Sequence, residues 1–301
     1  MVKRTLYFGN STYLSVKNKQ LVITMPDKEN KNITIPIEDI GIVLIDNYQI
    51  TITSGVLASL LENNVSIITC DYRHLPVGLM LPLFGNNVQT ERFRYQIEAS
   101  IPLKKQLWQQ TITSKIKNQG DVLEIQTGLI PKNMRVWANN VKSGDVENKE
   151  ARAAAYYWKN IFPNINGFIR DRDGAFPNNL LNYGYSILRA IVARALVSNG
   201  LLPTLGLFHR NKYNPYCLAD DIMEPYRPYV DMLVIDIMSN YDTYEILNKE
   251  IKTKLLSIPT LDVNINNKRS PLMVAVSTTT ASLMKCYIGE TRKILYPSIL
   301  T

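Results

Sequence analysis

Residues 201–231 read LLPTLGLFHRNKYNPYCLADDIMEPYRPYVD, and they bring a histidine, His209, close in sequence to three acids, Asp220, Asp221 and Glu224. A histidine beside several carboxylates is a donor set that suits a divalent metal ion. Aspartate and glutamate are also favoured at helix starts, where they cap the helix and complement its dipole. The stretch alone is therefore equally compatible with a metal site and with a purely structural role.

The spacing of these acids predicts a short, interrupted helix. If residues 218–224 are helical, Asp221 and Glu224 share a face at i, i+3, and Asp220 and Glu224 share one at i, i+4. Two prolines follow closely, and proline cannot donate a backbone hydrogen bond inside a helix. We therefore expect this helix to end near Glu224 and a new helix to begin, which would direct the acids into a cleft.

Helical periodicity extends outward from this stretch over most of residues 88–294. A stripe at i, i+3, i+4 and i+7 from Val230 to Ile237 is typical of a packed helix, whereas residues 259–267 read as a polar connection. The predicted helices are 88–99, 103–127, 131–142, 147–161, 180–197, one through 230–237, 243–256 and 271–294.

The first 84 residues follow a different pattern, with short runs of β-branched and aromatic residues separated by polar turns. One helix, residues 54–63, interrupts them. The predicted strands are 4–8, 13–16, 21–25, 33–37, 42–45, 48–52, 65–70 and 77–81.

These patterns predict an α+β fold. Residues 1–85 form an N-terminal β-sandwich with one helix, and residues 86–301 form a larger all-α C-terminal domain. The boundary is expected near Gly85.

Composition narrows the possible functions. The 301 residues include 46% hydrophobic and 20% charged side chains, which is normal for a globular protein, and the net charge of +8 is compatible with a polyanionic partner. The sequence contains no HExxH zinc-protease motif, no glycine-rich phosphate loop and no G-x-S-x-G elbow. Three widely spaced cysteines without a CxxC pair, and the lack of a signal peptide or a membrane-spanning run, lead us to expect a cytoplasmic protein.

Glu150 is a second candidate acid. It stands in the segment ENKEARAAAYYW at residues 147–158, where the small side chains around it would let a ligand or another helix approach closely. The alternative is an exposed glutamate paired with Lys149 or Arg152.

A third group of residues is basic or aromatic and could contact nucleic acid. Tyr183 and Tyr185 lie in the segment NNLLNYGY, and core packing is the alternative role for at least one of them. Neighbouring basic side chains could line a phosphate-binding groove. These are Arg170, Arg172, Arg189, Arg194, Arg210 and Lys212.

Several motifs, taken in order, resemble the CRISPR-associated spacer integrase family. They are Glu150-Ala151-x-Ala-Ala-x-x-Tyr-Trp, then residues 181–185 (LNYGY), Gly206-x-Phe208-His209, and Asp221-x-x-Glu224-Pro225. The segments YRHLPVG, FHRNKYN and ADDIMEPYRP look most like the type II branch. The resemblance covers the whole chain, including its β-then-α order.

The resemblance implies a metal triad of Glu150, His209 and Glu224 that holds Mg²⁺ or Mn²⁺. Two departures bear on this assignment. Many members have glycine where this chain has Ala151, and many have aspartate in the place of Glu224. Asp220 and Asp221 are therefore second candidates for the acidic ligand.

The resemblance also implies an activity and partners. Members insert a short duplex, the protospacer, at the leader-proximal repeat of a CRISPR array, by attack of a DNA 3′-hydroxyl on a phosphodiester. Similar proteins form homodimers through the β domain and assemble as a heterohexamer with a dimer of a small partner, "Cas two". Type II relatives also cooperate with the effector nuclease and sometimes with an accessory ring protein. The alternatives are a structure-specific metal-dependent DNA endonuclease and a non-catalytic DNA-binding scaffold.

Overall fold

The structure is a computed structural model that describes residues 3–26, 32–165, 167–172, 174–241 and 245–299. Its N-terminal part is rich in strands and its remainder is mainly helical, which confirms the predicted α+β class. The N-terminal elements are β1 (Arg4–Phe8), β2 (Thr12–Lys17), β3 (Gln20–Thr24), β4 (Asn32–Pro36), β5 (Ile40–Ile45), β6 (Ile50–Ile52), α1 (Ser54–Glu62), β7 (Ser66–Cys70) and β8 (Pro76–Met80).

These strands form two sheets of four strands each, in the orders β1-β5-β7-β8 and β4-β3-β2-β6. In the first sheet β1, β5 and β7 are parallel, and β8 is antiparallel to β7. In the second, β2, β3 and β4 are antiparallel neighbours, and β6 runs parallel to β2. Side chains from both sheets and from α1 share one apolar core, as Leu14, Val43 and Leu60 illustrate.

Strand β5 contributes to two cores, because successive side chains of a strand point to opposite faces. Val43 packs into the core between the two sheets. Ile42 and Leu44 pack instead into the large core formed by the helices. The uninterrupted apolar sequence IGIVLI of β5 follows from burial on both faces.

Most of the helices lie close to their predicted bounds. They are α2 (Gln89–Glu98), α3 (Ile101–Thr127), α4 (Lys132–Asn139), α5 (Lys149–Asn160), α6 (Asn178–Ser198), α7 (Cys217–Met223), α8 (Arg227–Asn240), α9 (Lys249–Leu255) and α10 (Leu272–Tyr287). Residues 243 and 244 of the predicted helix 243–256 lie outside the described residues, and the helix begins later than predicted, at Lys249. The predicted break after the acidic cluster is confirmed, since a 3-10 turn, Glu224–Tyr226, separates α7 from α8.

The C-terminal part is not wholly helical, and this corrects the all-α prediction. Asp262–Ile265 (β9), Lys268–Pro271 (β10) and Pro297–Ser298 (β11) form a small antiparallel sheet in the order β10-β9-β11. Asn266 and Asn267 join β9 to β10 with φ values of 52° and 57°, which suits asparagine in a tight hairpin turn.

The final helix is also shorter than predicted, because Gly289 takes a left-handed φ of 82° just after α10 and ends it. The chain then returns to pair β11 with β9.

Two long helices form the centre of the helical part. α3 contacts the segments that carry the candidate acids, including α5, α7 and the turn at Glu224–Tyr226. α6 is, among the described residues, the one helix long and apolar enough to cross a membrane, but 72% of its most apolar window is buried inside the protein. Packing in the core accounts for this apolar sequence.

Candidate metal centre

Glu150 and Glu224 meet at a buried lysine on α3. The Nζ atom of Lys115 lies 2.6 Å from Oε1 of Glu150 and 2.6 Å from Oε2 of Glu224. Burial opposes the charge of Lys115, but the two carboxylates outweigh it and raise the pKa of the lysine, so the side chain is an ammonium. Three separate elements, α3, α5 and the turn after α7, thus converge on one cation.

Backbone hydrogen bonds at the start of α5 fix the position of Glu150. The carboxylate of Asp145 accepts hydrogen bonds from the backbone N–H groups of Lys149 and Glu150, both at 2.9 Å. Asn148 takes a left-handed φ of 50° and caps the helix by accepting from the N–H of Ala151. The alternative of a surface glutamate paired with Lys149 or Arg152 is wrong, because Glu150 accepts from Lys115.

Glu224 is almost completely buried, and its two oxygens differ. Nη2 of Arg227 lies 3.1 Å from Oε1, whereas Nζ of Lys115 lies 2.6 Å from Oε2. Burial favours the neutral acid, but Arg227 and Lys115 outweigh it and hold the pKa of Glu224 below its usual value. The side chain is therefore a carboxylate, and its Oε2 already contacts a cation, the Lys115 ammonium.

His209 is oriented by Asp221. The imidazole Nδ1 lies 2.5 Å from Oδ1 of Asp221, and this contact raises the pKa of the histidine. Asp221 is fully buried and also accepts from the backbone N–H groups of Leu207 and Phe208, at 2.6 Å and 3.0 Å. With Nδ1 held in this way, Nε2 is the ring nitrogen left to bind a ligand.

Close packing supports the His209 loop. The ring of Phe208 stacks on Trp108 of α3 at a centroid distance of 4.6 Å, and the ring of His209 meets Trp108 edge-on at 5.6 Å. Gly206 passes so near the loop that a Cβ there would stand 2.5 Å from the carbonyl oxygen of His209 and 2.8 Å from Oδ2 of Asp221. Glycine at this position lets the Asp221 carboxylate reach the loop backbone.

The two second-candidate acids have other partners. Asp221 is engaged by the His209 loop, as described above. Asp220 accepts from Nε of Arg189 at 2.6 Å through one oxygen and from Nδ2 of Asn214 at 2.7 Å through the other. Of the three neighbouring acids in this stretch, Glu224 is the one that shares Lys115 with Glu150.

Within the described ranges, no group of three His, Cys, Asp or Glu side chains is arranged to hold a metal ion as it stands. The position of Lys115 gives the physical reason, since its ammonium already contacts both carboxylates. The chemistry of the site nevertheless fits a hard divalent cation. Glu224 offers a buried carboxylate oxygen that already attracts a cation, Glu150 faces the same point, and His209 adds a nitrogen donor.

The predicted DNA contacts divide into buried and exposed residues. Tyr183 is completely buried, so the structure assigns it to the core and overturns its prediction as a DNA contact. Arg170 donates to Asn178 and Asn182 and lies 5.2 Å over the ring of Tyr185.

Arg189 is half-exposed but pairs with Asp220. Arg172, Arg210 and Lys212 are exposed, and their contact with DNA stays a prediction.

Lys115 and Arg227 are the site residues that sequence reasoning missed. The sequence of α3 does indicate that Lys115 is buried, because Lys115 follows the buried residues Leu107 and Thr111 at intervals of four. A lysine on the buried stripe of a helix requires an acidic partner, since charged side chains are almost never buried unpaired. That signal would have indicated an acid nearby without identifying Glu150 and Glu224.

Comparisons with known sequences agree with these motifs. A family model described as CRISPR associated protein Cas1 matches residues 6–245. The chain is 37% identical over 303 residues to the CRISPR-associated endonuclease Cas1 of Neisseria meningitidis serogroup C, covering 100% of this chain and 97% of that protein. A second CRISPR-associated endonuclease Cas1, from Saccharolobus solfataricus, is 30% identical over 245 residues, which cover 77% of this chain and 74% of the relative.

Solved structures share the fold. A casposase bound to integration product superposes with a TM-score of 0.77 at 20% identity, covering 98% of this chain and 92% of that one. A CAS1 protein from Thermotoga maritima gives a TM-score of 0.73 at 17% identity, with coverages of 95% and 97%. A chain of a Cas6-RT-Cas1–Cas2 complex gives a TM-score of 0.74 at 18% identity, covering 97% of this chain and 36% of that chain.

Proposed function

Because the chain belongs to the CRISPR-associated protein Cas1 family, we propose that it is a metal-dependent DNA integrase of CRISPR adaptation. Its reaction inserts protospacer DNA into the CRISPR array by attack of a DNA 3′-hydroxyl on a phosphodiester of the repeat. The observation that carries the proposal is the convergence of Glu150 and Glu224 on one cation position, beside a histidine whose Nδ1 is held by a buried carboxylate.

Glu150, His209 and Glu224 are the residues that would hold Mg²⁺ or Mn²⁺. The bound ion would act as a Lewis acid that withdraws negative charge from the attacked phosphate. Asp221 holds His209 by Nδ1, and Arg227 holds the second oxygen of Glu224. These contacts fix the donors before DNA arrives, so little reorganisation is needed during the reaction.

The reaction balances without a protein nucleophile or ATP. The oxygen of the attacking 3′-hydroxyl forms a new bond to phosphorus and gives up its proton. The bond from phosphorus to the 3′-oxygen of the repeat strand breaks, and that oxygen leaves as a new 3′-hydroxyl once it is protonated. One phosphodiester replaces another.

The assembly that we propose follows the family resemblance. Residues 1–85 would mediate the homodimer, and residues 86–301 would bind DNA and carry out catalysis. A dimer of the small "Cas two" partner would complete a heterohexamer in the cytoplasm. The motifs of the type II branch add the effector nuclease and an accessory ring protein as partners. The named Cas1–Cas2 complex among the similar structures and the net charge of +8 support protein and DNA partners.

A structure-specific DNA endonuclease is the second candidate, favoured by the names of the curated relatives. The same site would then use water in place of a 3′-hydroxyl. A DNA-binding scaffold without catalysis is the third candidate, and it would bind DNA equally well without a divalent metal.

A strand-transfer assay tests the proposal. The wild-type protein, its small partner and Mg²⁺ or Mn²⁺ are incubated with a labelled duplex and a leader-repeat target. Glu150→Ala, His209→Ala and Glu224→Ala are each expected to abolish joining while circular dichroism shows an intact fold. Glu147→Ala is the matched control, because this exposed acid pairs with Lys142 and Lys149 and should leave joining unchanged.

Blocking the 3′ ends of the duplex separates the candidates. An integrase then loses all joining, whereas an endonuclease continues to cut the target. Normal joining by both the Glu150 and the His209 variants would show that the site assignment is wrong. Metal-independent binding with neither cutting nor joining would favour the scaffold.

A further inference from the structure

Lys115 occupies the position from which a cation reaches both acids. Its Nζ atom is 2.6 Å from an oxygen of each, and its side chain is 9% exposed, against 22% for Glu150 and 4% for Glu224. Divalent magnesium and manganese bind carboxylate oxygens at about 2.0–2.2 Å. An ion bound to the same two oxygens would compete with the ammonium for them.

The charges of the cluster balance without a metal. Lys115 and Arg227 supply two positive charges, and Glu150 and Glu224 supply two negative charges. Buried charges are tolerated when they are paired in this way. Adding a divalent ion with Lys115 in place would put two further positive charges beside the ammonium in a buried site, which is unfavourable.

Lys115 and Arg227 differ in how close they lie to the point where the two acids meet. Arg227 contacts Oε1 of Glu224 at 3.1 Å and also lies 4.9 Å over the ring of Tyr185, so it is held away from the point where the two acids meet. Lys115 contacts both acids, and its ammonium is carried on a flexible four-carbon stem. The lysine is the cation that must leave when a metal binds.

We propose that Lys115 is a built-in competitor for the metal, which holds Glu150 and Glu224 together in the metal-free protein and swings out when a divalent cation binds. This inference rests on the proposed function only in taking these acids as metal ligands. Lys115 then has two effects. It keeps the donors in place before binding, and it weakens metal affinity, because each binding event must break two buried ion pairs.

Direct measurement of metal binding tests the inference. Mn²⁺ is titrated into the wild-type protein and the Lys115→Met variant, and free Mn²⁺ is measured by electron paramagnetic resonance. Methionine keeps the length and apolar stem of lysine but carries no charge. The variant is expected to bind Mn²⁺ about tenfold more tightly or better, since a unit charge within contact distance of the ion has been removed. Lys117→Met, an exposed substitution on the same helix, should bind like the wild type.

The same titration separates this inference from the function. Equal or weaker Mn²⁺ binding by Lys115→Met, with normal binding by wild type and Lys117→Met, overturns the competitor role and leaves the metal site intact. Failure of all three proteins to bind Mn²⁺ overturns the metal site itself, and with it both proposals.

A second measurement uses the wild-type protein and does not depend on the variant's folding. Lysine acetylation is followed by mass spectrometry as Mn²⁺ is added. Buried Lys115 should be protected without metal and become reactive as the site fills, while acetylation of exposed Lys117 stays constant. Continued protection of Lys115 when the resonance signal shows a filled site would overturn the inference.

Discussion

Asp231 is a buried acid whose two partners are tyrosines. Its carboxylate accepts hydrogen bonds from the hydroxyls of Tyr157 at 2.9 Å and Tyr185 at 2.5 Å. Burial raises its pKa from 3.8 to about 6, although both hydrogen bonds and Arg227 oppose the rise. The folded protein therefore holds this proton more tightly than the unfolded chain does.

The stability of the protein should depend on pH through this group. The stabilisation is fully present below the unfolded pKa and is lost as the pH rises through the folded pKa of about 6. The difference between the two pKa values corresponds to about 3 kcal/mol. Asparagine does not titrate, so Asp231→Asn lacks this pH dependence. Its free energy of unfolding minus that of wild type, measured by urea denaturation, should therefore rise by about 3 kcal/mol between about pH 4 and pH 7.

An exposed residue on the same helix provides the control. The change with pH should be much smaller for Asp236→Asn, because the side chain of Asp236 is 45% exposed. Equal changes with pH for the two variants would contradict the prediction.

For single residues, the sequence indicates which types of side chain form the site better than it indicates their contacts. It indicates His209 and the neighbouring acids because histidine is rare and carboxylates cluster. Residue types alone do not distinguish Glu224, which meets Lys115, from Asp221, which orients the histidine; the family resemblance ranks Glu224 first. That distinction depends on which way each side chain of a short helix points, and the last turn before the break sets this.

Among the elements, the start of α5 has the most direct bearing on the site. Asp145 accepts from two backbone N–H groups there, one of them that of Glu150. Asp145→Ala should leave both groups without this acceptor and cost about 1 kcal/mol of stability, as loss of a helix cap does. Because Glu150 is in the first turn, Mn²⁺ affinity should fall together with stability.

Chemical denaturation and Mn²⁺ titration measure these two effects. Asn148→Gly is the matched control, because glycine accepts the left-handed φ of 50° at this position and a glycine cap costs only a few tenths of a kcal/mol. If Asp145→Ala kept wild-type Mn²⁺ affinity, the helix start would not be what positions Glu150.

Periodicity predicted the two longest helices well and missed the C-terminal hairpin. α3 and α6 have many turns over which a pattern can accumulate. The hairpin of β9 and β10 has only four residues in each strand and follows from an Asn-Asn turn and from pairing with a distant segment, β11. Such pairing leaves little trace in local sequence.

On the scale of the whole molecule, a buried ion pair joins the N-terminal strands to the last third of the chain. Nζ of Lys252 on α9 lies 2.7 Å from Oδ2 of Asp46, which directly follows β5, and the two side chains are 5% and 0% exposed. Asp46 is also contacted by the hydroxyl of Tyr7 at 2.7 Å and by Nδ1 of His74 at 2.8 Å. His74, the other histidine of the chain, therefore contacts the Asp46 carboxylate.

Lys252→Met should cost about 3–5 kcal/mol, because it leaves the Asp46 carboxylate buried without its cation. The double variant Asp46→Asn/Lys252→Met should be less destabilised than the sum of the two single variants, because it leaves no unpaired buried charge. Guanidinium denaturation of the four proteins measures this coupling, and strictly additive losses would show that the pair is not coupled.

The two-sided burial of β5 bears on how the chain can be dissected. Val43 belongs to the core between the sheets, whereas its neighbours Ile42 and Leu44 are built into the helical core. A fragment that lacks the first strands would expose the apolar surface that these strands normally cover. An isolated strand region would likewise expose its own apolar face. Calorimetry of the full chain should accordingly show one melting transition, and fragments cut at residue 85 should aggregate during expression.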